Sequence, residues 1–256
     1  MKVKFIGTGS GITSLNRHHS SFIISSANSN ILVDCGDGIS SALLKQNIYF
    51  NSISSILISH LHADHYCGLP SLITQMKLIK RTEPLSIFVH SSLLDFIKDF
   101  ILHSYIFTQK LGFDLIFFPF EIDSKVLISG NIKFISKNNS HLEKYKIYDI
   151  KNRLSFVSLS FFFEDGQNTA IYTGDIGNEN DLFLFSKKVD WFITETTHIK
   201  LKNLAENFEK INPTKFILTH IEDGLEENLK QLIESLQSKQ ANKILIAYDG
   251  FELSKV

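Results

Sequence analysis

The chain has 256 residues, 43% of them hydrophobic, and a formal net charge of −1. That size suits one large α/β domain spanning 1–256, soluble and with a sizeable core. No apolar run approaches the length of a bilayer crossing, which excludes a membrane-spanning helix, and the near-zero charge exerts no general pull on nucleic acid.

Strands are predicted near 2–6, 21–25 and 30–34, followed by a helix at 39–46 and a strand at 55–59. The run Met1 to Ile6 is too short for a signal-peptide core and starts a strand instead. Gly7, Gly9 and Gly11 come next in a spacing that invites a dinucleotide-binding reading. That fingerprint needs its glycines to open a helix, whereas Ile12 to His19 is polar and irregular, so a strand-to-strand loop is expected. Residues 59–70 then read Ser-His-Leu-His-Ala-Asp-His-Tyr-Cys-Gly-Leu-Pro. His60, His62, Asp64 and His65 thus fall where a buried strand ends and a helix begins. His60 and His62, two apart, can point to one side and share an ion, while Asp64 and His65 can face a second position. Imidazole with carboxylate is the ligand mixture expected for zinc, with manganese or iron as weaker candidates.

Helices at 69–80 and 92–105 bracket a strand at 85–89. Strands follow near 113–119, 125–136, 145–149, 154–163 and 168–173. The remainder alternates: helix 179–186, strand 189–194, helix 201–210, strand 215–219, helix 225–238 and strand 243–247. Two strand-rich halves with helices predict a two-sheet sandwich covered by helices on both faces. Further ligand-type residues lie at predicted strand ends: His141 after a polar loop, Asp175 after Gly174, and His220 after Thr219. A site along one rim of a sheet scaffold is the natural reading. Spacing alone does not say which of the ten histidines complete it.

The order His-x-His-x-Asp-His, lone His, Gly-Asp, Thr-His resembles the metallo-β-lactamase fold superfamily, and within it the ribonuclease Z-like branch. The opening Phe5 to Gly11, Arg17 with Ser20 and Ser21, Val33-Asp-Cys-Gly36 and Gly68-Leu-Pro70 are similar to elements of that branch. The resemblance implies the αββα arrangement of two mixed β-sheets flanked by helices, and two zinc ions. It assigns His60, His62 and His141 to one ion and Asp64, His65 and His220 to the other, with Asp175 bridging. It also implies phosphodiester hydrolysis by an activated water, with Asp64 both ligand and proton acceptor. Asp34 resembles the carboxylate that orients metal-binding imidazoles, and an Asx turn is the competing reading.

The branch carries a His-Glu-Ala-Thr element whose histidine assists the leaving group. Here Thr194 replaces that histidine, and Glu195 with His198 either does the same work from a shifted position or caps the next helix. The segment between His141 and Asp175 lacks the character of the tRNA-gripping arm, and the arginine and tyrosine that follow Thr-His in the branch are missing after His220. These departures favour a small, cyclic nucleotide substrate, as in the arm-less cyclic-nucleotide phosphodiesterases of the branch, including the anti-Pycsar enzymes. A ribonuclease Z-type tRNA endonuclease is the alternative, and a glyoxalase II-like thioester or lactone hydrolase a further one. Cys67 and Cys35 fit neither a disulfide framework nor a zinc ribbon, and point to a reducing cytoplasm; Cys67 is expected to be a small buried side chain. His18 and His19 are expected to be solvated, and His90 and His103 structural. The phenylalanine- and isoleucine-rich stretch from Ile97 to Phe120 is a candidate homodimer contact.

Overall fold

The structure, a computed structural model, describes residues 1–26, 29–236 and 241–254. Short β-branched and aromatic runs form two seven-stranded sheets. The first contains β1 (Lys2–Gly7), β2 (Ser21–Ser26), β3 (Ser29–Val33), β4 (Ser55–Leu57), β5 (Leu85–His90), β6 (Leu115–Phe120) and, beside β1, β14 (Glu252–Ser254). The second contains β7 (Lys125–Ser129), β8 (Ile132–Asn138), β9 (Leu159–Glu164), β10 (Thr169–Tyr172), β11 (Trp191–Glu195), β12 (Lys215–Thr219) and β13 (Ile244–Ile246). Pairing is antiparallel over β14-β1-β2-β3 and parallel over β3-β4-β5-β6, so the first sheet is mixed. The second is antiparallel over β7-β8-β9-β10 and parallel over β10-β11-β12-β13.

Period-two alternation gives each sheet two apolar faces. Val3, Phe5, Phe22, Val33, Leu57 and Phe88 of the first sheet meet Phe134, Phe161, Phe163, Tyr172 and Ile193 of the second in a layer between the sheets. The alternate residues Ile6, Ile23, Leu32, Ile56 and Ile87 face outward and pack with α1 (Ile39–Lys45), α3 (Leu69–Leu78) and α4 (Leu94–His103). On the far side Phe192, Phe216 and Leu218 pack with α5 (Leu201–Ile211) and α6 (Leu225–Ser235). This is the predicted helix–sheet–sheet–helix sandwich. Among the described residues no helix is long and apolar enough to cross a membrane.

Several predicted elements differ. The strand near 125–136 is a hairpin, turned at Gly130 with φ +59°. The strand near 145–149 is instead a 3-10 turn, Glu143–Tyr148, and 154–158 is irregular. Its alternating aromatic and apolar residues mimic a strand, but they stand exposed rather than packed in a sheet. The helix near 179–186 is likewise a 3-10 turn, Glu179–Phe183. Positions 237 and 238 of the last predicted helix lie outside the described residues. A short helix, α2 (Ala63–Tyr66), and the edge strand β14 were not predicted.

Candidate metal centre

The site is assembled at the ends of strands. β3 and β4 run parallel, so Asp34 and Ser59-His60 leave the first sheet side by side, with Asp34 N donating to Leu57 O at 2.8 Å. His62 precedes α2, Asp64 lies in its first turn and His65 follows. The turn Asp34-Cys-Gly36 is tied to α2, since Cys35 N donates to His65 O at 2.7 Å and Gly68 N to Cys35 O at 2.9 Å. Gly36 is required there: a Cβ would lie 1.9 Å from Asp64 O. From the second sheet come His141 beyond β8, Asp175 beyond β10 and His220 beyond β12.

These seven side chains converge. The ligand atoms of His60, His62, His141 and Asp175 lie within 4.8 Å of one another, as do those of Asp64, His65, Asp175 and His220. Asp175 belongs to both groups, and its carboxylate lies 3.4 Å from both His65 Nε2 and His220 Nε2. His141 Nε2 and His62 Nδ1 are 3.0 Å apart.

Partners behind the rings set their orientation. His65 Nδ1 faces Asp34 Oδ2 at 2.8 Å, which also accepts from Ser59 Oγ (2.8 Å) and the Tyr172 hydroxyl (3.3 Å). Ser59 Oγ thereby accepts from His60 Nδ1 at 3.0 Å. Thr197 Oγ1 donates to His220 O at 2.7 Å and accepts from His220 Nδ1 at 3.1 Å. Each of these histidines is thus engaged at Nδ1 and turns Nε2 toward the centre, the arrangement of metal-ligating imidazoles. His60 Nε2, His65 Nε2 and Asp175 Oδ1 are buried and have no hydrogen-bond partner. Buried polar atoms without partners are costly, and here they aim where a divalent cation would accept them. The donor set fits such an ion.

Charge follows the same plan. Burial first, then His65 and the other neighbouring imidazoles, keep His60 well below its ordinary pKa; burial likewise lowers His141 to about 4. Both rings are neutral, as ligands must be. Burial works against charge on His65 and His220, but Asp175 together with Asp34 at His65, and Asp175 together with Asp64 and Glu195 at His220, overcome it and raise both. Burial also opposes ionisation of Asp64 and Asp175, and is overcome at Asp64 by hydrogen bonds from His220 and His65 and at Asp175 by the charges of the same two residues, so both carboxyls titrate well below the usual range.

Glu195 and His198 form a pair at the rim, with His198 Nδ1 2.9 Å from Glu195 Oε1. Glu195 is buried and also accepts from Ile176 N, Thr197 N and His198 N at 2.6–3.1 Å. Its oxygens are occupied, so it orients His198 and the turn and does not cap α5, which starts later at Leu201. Burial lowers the His198 pKa, but the hydrogen bond and charge of Glu195 more than reverse this. The His198 ring lies 4.6 Å from that of His141.

Other candidates fall elsewhere. The glycine loop joins strands beside the centre: Gly9 bridges His19 and Ile221, and a Cβ on Gly11 would sit 3.2 Å from Asp64 Oδ2. His18 and His19 are not simply solvated; His18 Nδ1 pairs with Asp249 at 2.8 Å, and His19 Nδ1 with Ser10 O at 2.8 Å. Asp249 also accepts from Thr8 N and Oγ1, pinning the glycine loop to the C-terminal segment. Cys67 is half-buried rather than buried, with Cys35 buried and both thiols free. His90 is buried against Ser92, whereas His103 is exposed on α4. Sequence reasoning missed Asp181. Its carboxylate accepts from Ser140 N and Oγ and from Gly177 N, at 2.7–3.2 Å, and so joins the His141 loop to the Asp175 loop.

The family model described as "Anti-Pycsar protein Apyc1" matches residues 1–241. Ribonuclease Z of Methanosarcina mazei is 38% identical over 88 residues, 34% of this chain and 29% of that protein. Ribonuclease Z of Prochlorococcus marinus is 35% identical over 136 residues, 51% and 43% of the two chains. The chain thus spans less than half the length of these curated relatives. Among solved structures, the metallo-β-lactamase fold protein YhfI of Bacillus subtilis superposes with a TM-score of 0.78 at 21% identity, covering 99% of both chains. The short form of human tRNase Z gives 0.73, also at 21% identity and 99% coverage of each. At these identities the likeness is one of fold.

Proposed function

The chain belongs to the family described as Anti-Pycsar protein Apyc1, and from that premise we propose that it is a metal-dependent hydrolase cleaving the phosphodiester of a small cyclic nucleotide. The observation that carries this reading is the convergence of His60, His62, Asp64, His65, His141, Asp175 and His220, with Nε2 of His60, His65 and His220 already turned inward. His60, His62 and His141 would hold one zinc, Asp64, His65 and His220 a second, and Asp175 would serve both; manganese or iron could stand in their place. Such a pair supplies Lewis acidity toward phosphoryl oxygens and water.

The remaining steps belong to the chain's own residues. Asp64, at the first turn of α2, accepts the proton of the attacking water while α2 and His220 Nε2, 3.4 Å from Oδ2, keep its carboxylate in place. His198, held at Nδ1 by Glu195, presents Nε2 to the departing oxygen and returns a proton to it. A small substrate is favoured over tRNA because the chain between His141 and Asp175 is taken up by a 3-10 turn, a loop beside His62, and strands β9 and β10. No projecting arm occurs there. A homodimer belongs to the same proposal, since Leu102, Tyr105, Phe107, Ile116 and Phe118 form exposed apolar surface at the end of α4 and on edge strand β6.

Parallel assays of the metal-loaded protein on 3′,5′-cyclic nucleotides, bis(p-nitrophenyl) phosphate and precursor tRNA test the reaction. Cleavage of cyclic nucleotides is expected. Efficient cutting of tRNA alone would return the protein to tRNA processing, and turnover of thioesters alone would remove the phosphodiesterase reading.

A further inference from the structure

A cavity of about 470 Å³ opens beside the metal ligands, and His62 borders both. That is the size range of small-molecule sites. Its walls are largely apolar and include four aromatic rings: Phe96 from α4, and Tyr145, Tyr148 and Phe156 from the segment after His141. The segment's conformation explains their placement. A 3-10 turn has three residues per turn, so Tyr145 and Tyr148 project from one side of it. The Tyr145 ring stands edge-on to His62, 5.7 Å between centroids at 80°. Tyr148 is 75% exposed, so no protein core accounts for its position.

The segment is braced rather than loose. Asp149 accepts from Arg153 N at 2.9 Å and Leu154 N at 2.7 Å, and Ser155 Oγ bonds Ser92 Oγ at 2.7 Å, fastening the far end to the start of α4. The Arg153 side chain adds a planar cation to the cavity wall. Flat rings and a guanidinium beside a centre built for an anion match a ligand that is a planar heterocycle at one end and a phosphate at the other.

We infer that this cavity is the nucleobase subsite, in which the base stacks on Tyr148 and its aromatic neighbours while the phosphodiester lies at the metal ligands. The inference rests on the phosphodiesterase reading for its substrate, and it names Tyr148 as a base-binding residue. Stacking of a base on an aromatic side chain is sequence-tolerant and worth roughly tenfold to a hundredfold in affinity.

The test compares a nucleoside 5′-monophosphate with ribose 5-phosphate by isothermal titration calorimetry on the metal-loaded protein, alongside steady-state kinetics on a 3′,5′-cyclic nucleotide. Wild type should bind the nucleotide about tenfold to a hundredfold more tightly than the sugar phosphate. Tyr148→Ala should shrink that gap and raise KM by a similar factor with little change in kcat, and Tyr148→Phe should restore both. Equal binding of the two ligands by wild type, or an undiminished gap in Tyr148→Ala, overturns the subsite. The two readings fail separately. Protein that cleaves bis(p-nitrophenyl) phosphate but shows no gap loses the subsite and keeps the reaction. Protein that shows the gap and cleaves no phosphodiester loses the reaction and keeps a base-binding cavity.

Discussion

At the scale of single residues, the centre depends on atoms one bond behind the ligands. Asp34 fixes His65 directly and His60 through Ser59, so one buried carboxylate governs a ring in each ligand group. Its backbone is left-handed, φ +61°, a conformation asparagine also tolerates. Asp34→Asn should therefore fold but lower metal affinity or activity about 10–100-fold, as loss of such partners typically does. Metal content by mass spectrometry after mild dialysis checks it, and retention equal to wild type would refute it. His198 makes a separate demand. His198→Ala should reduce kcat about 10²–10⁴-fold on a cyclic nucleotide, whose departing alkoxide needs a proton. On bis(p-nitrophenyl) phosphate the loss should be much smaller, because nitrophenolate leaves without help. Equal losses on the two substrates would rule out His198 as the acid.

Among elements, the decisive contacts are those that join one loop to another. Asp181 sits in a 3-10 turn and closes a capping box with Asn178, yet its larger role is to hold the His141 and Asp175 loops together. Asp181→Ala leaves the backbone N–H groups of Ser140 and Gly177 without their acceptor. It should cost about 1–3 kcal/mol, read as a lower midpoint in urea, with weaker metal retention. An unchanged midpoint would show that the loops are held by other means. Little of this was legible beforehand. An Asp six residues after a candidate ligand carries no special signal until folding brings Ser140 to it. The Tyr145–Tyr148 stretch misled for a related reason: Tyr145 and Ile147 alternate as in a strand, and only the fold shows that the three-residue spacing of the two tyrosines is the one used, in a 3-10 turn lining a cavity. By contrast, strands β1 to β5 were readable, since their apolar residues are dense and bounded by glycine and polar turns.

On the scale of the whole molecule, the ligands divide between the sheets. His60, His62, Asp64 and His65 follow β4 of the first sheet, while His141, Asp175 and His220 follow strands of the second. Metal bound by both groups links the two sheets at one rim, so it stabilises the packed sandwich over any state in which the sheets part. Chelation should lower Tm and added zinc should restore it, by differential scanning fluorimetry; a Tm indifferent to chelator would argue against ions spanning the sheets. The packing itself rests on a phenylalanine cluster. Phe134 is fully buried between the sheets and its ring meets those of Phe88, Phe120, Phe161 and Phe163. Phe134→Ala should cost about 3–5 kcal/mol, and at 2–4 °C per kcal/mol for a chain of this size roughly 6–20 °C in Tm.

By itself the sequence determined the sandwich and the first half of the centre. Alternating apolar strands carry the layering, and His60 to His65 lie so close along the chain that no fold can separate them. Spacing left open which distant side chains complete the cluster, and the resemblance named His141, Asp175 and His220; which nitrogen each histidine turns inward and how the segment after His141 walls a cavity were decided only by tertiary structure. Those properties depend on pairs such as Asp34 with His65, Asp181 with Ser140, and His62 with Tyr145. Asp34 meets His65 because β3 and β4 pair within one sheet, Asp181 meets Ser140 because the loops after β8 and β10 leave the other sheet together, and His62 meets Tyr145 because the two sheets pack face to face; no local spacing encodes these relations.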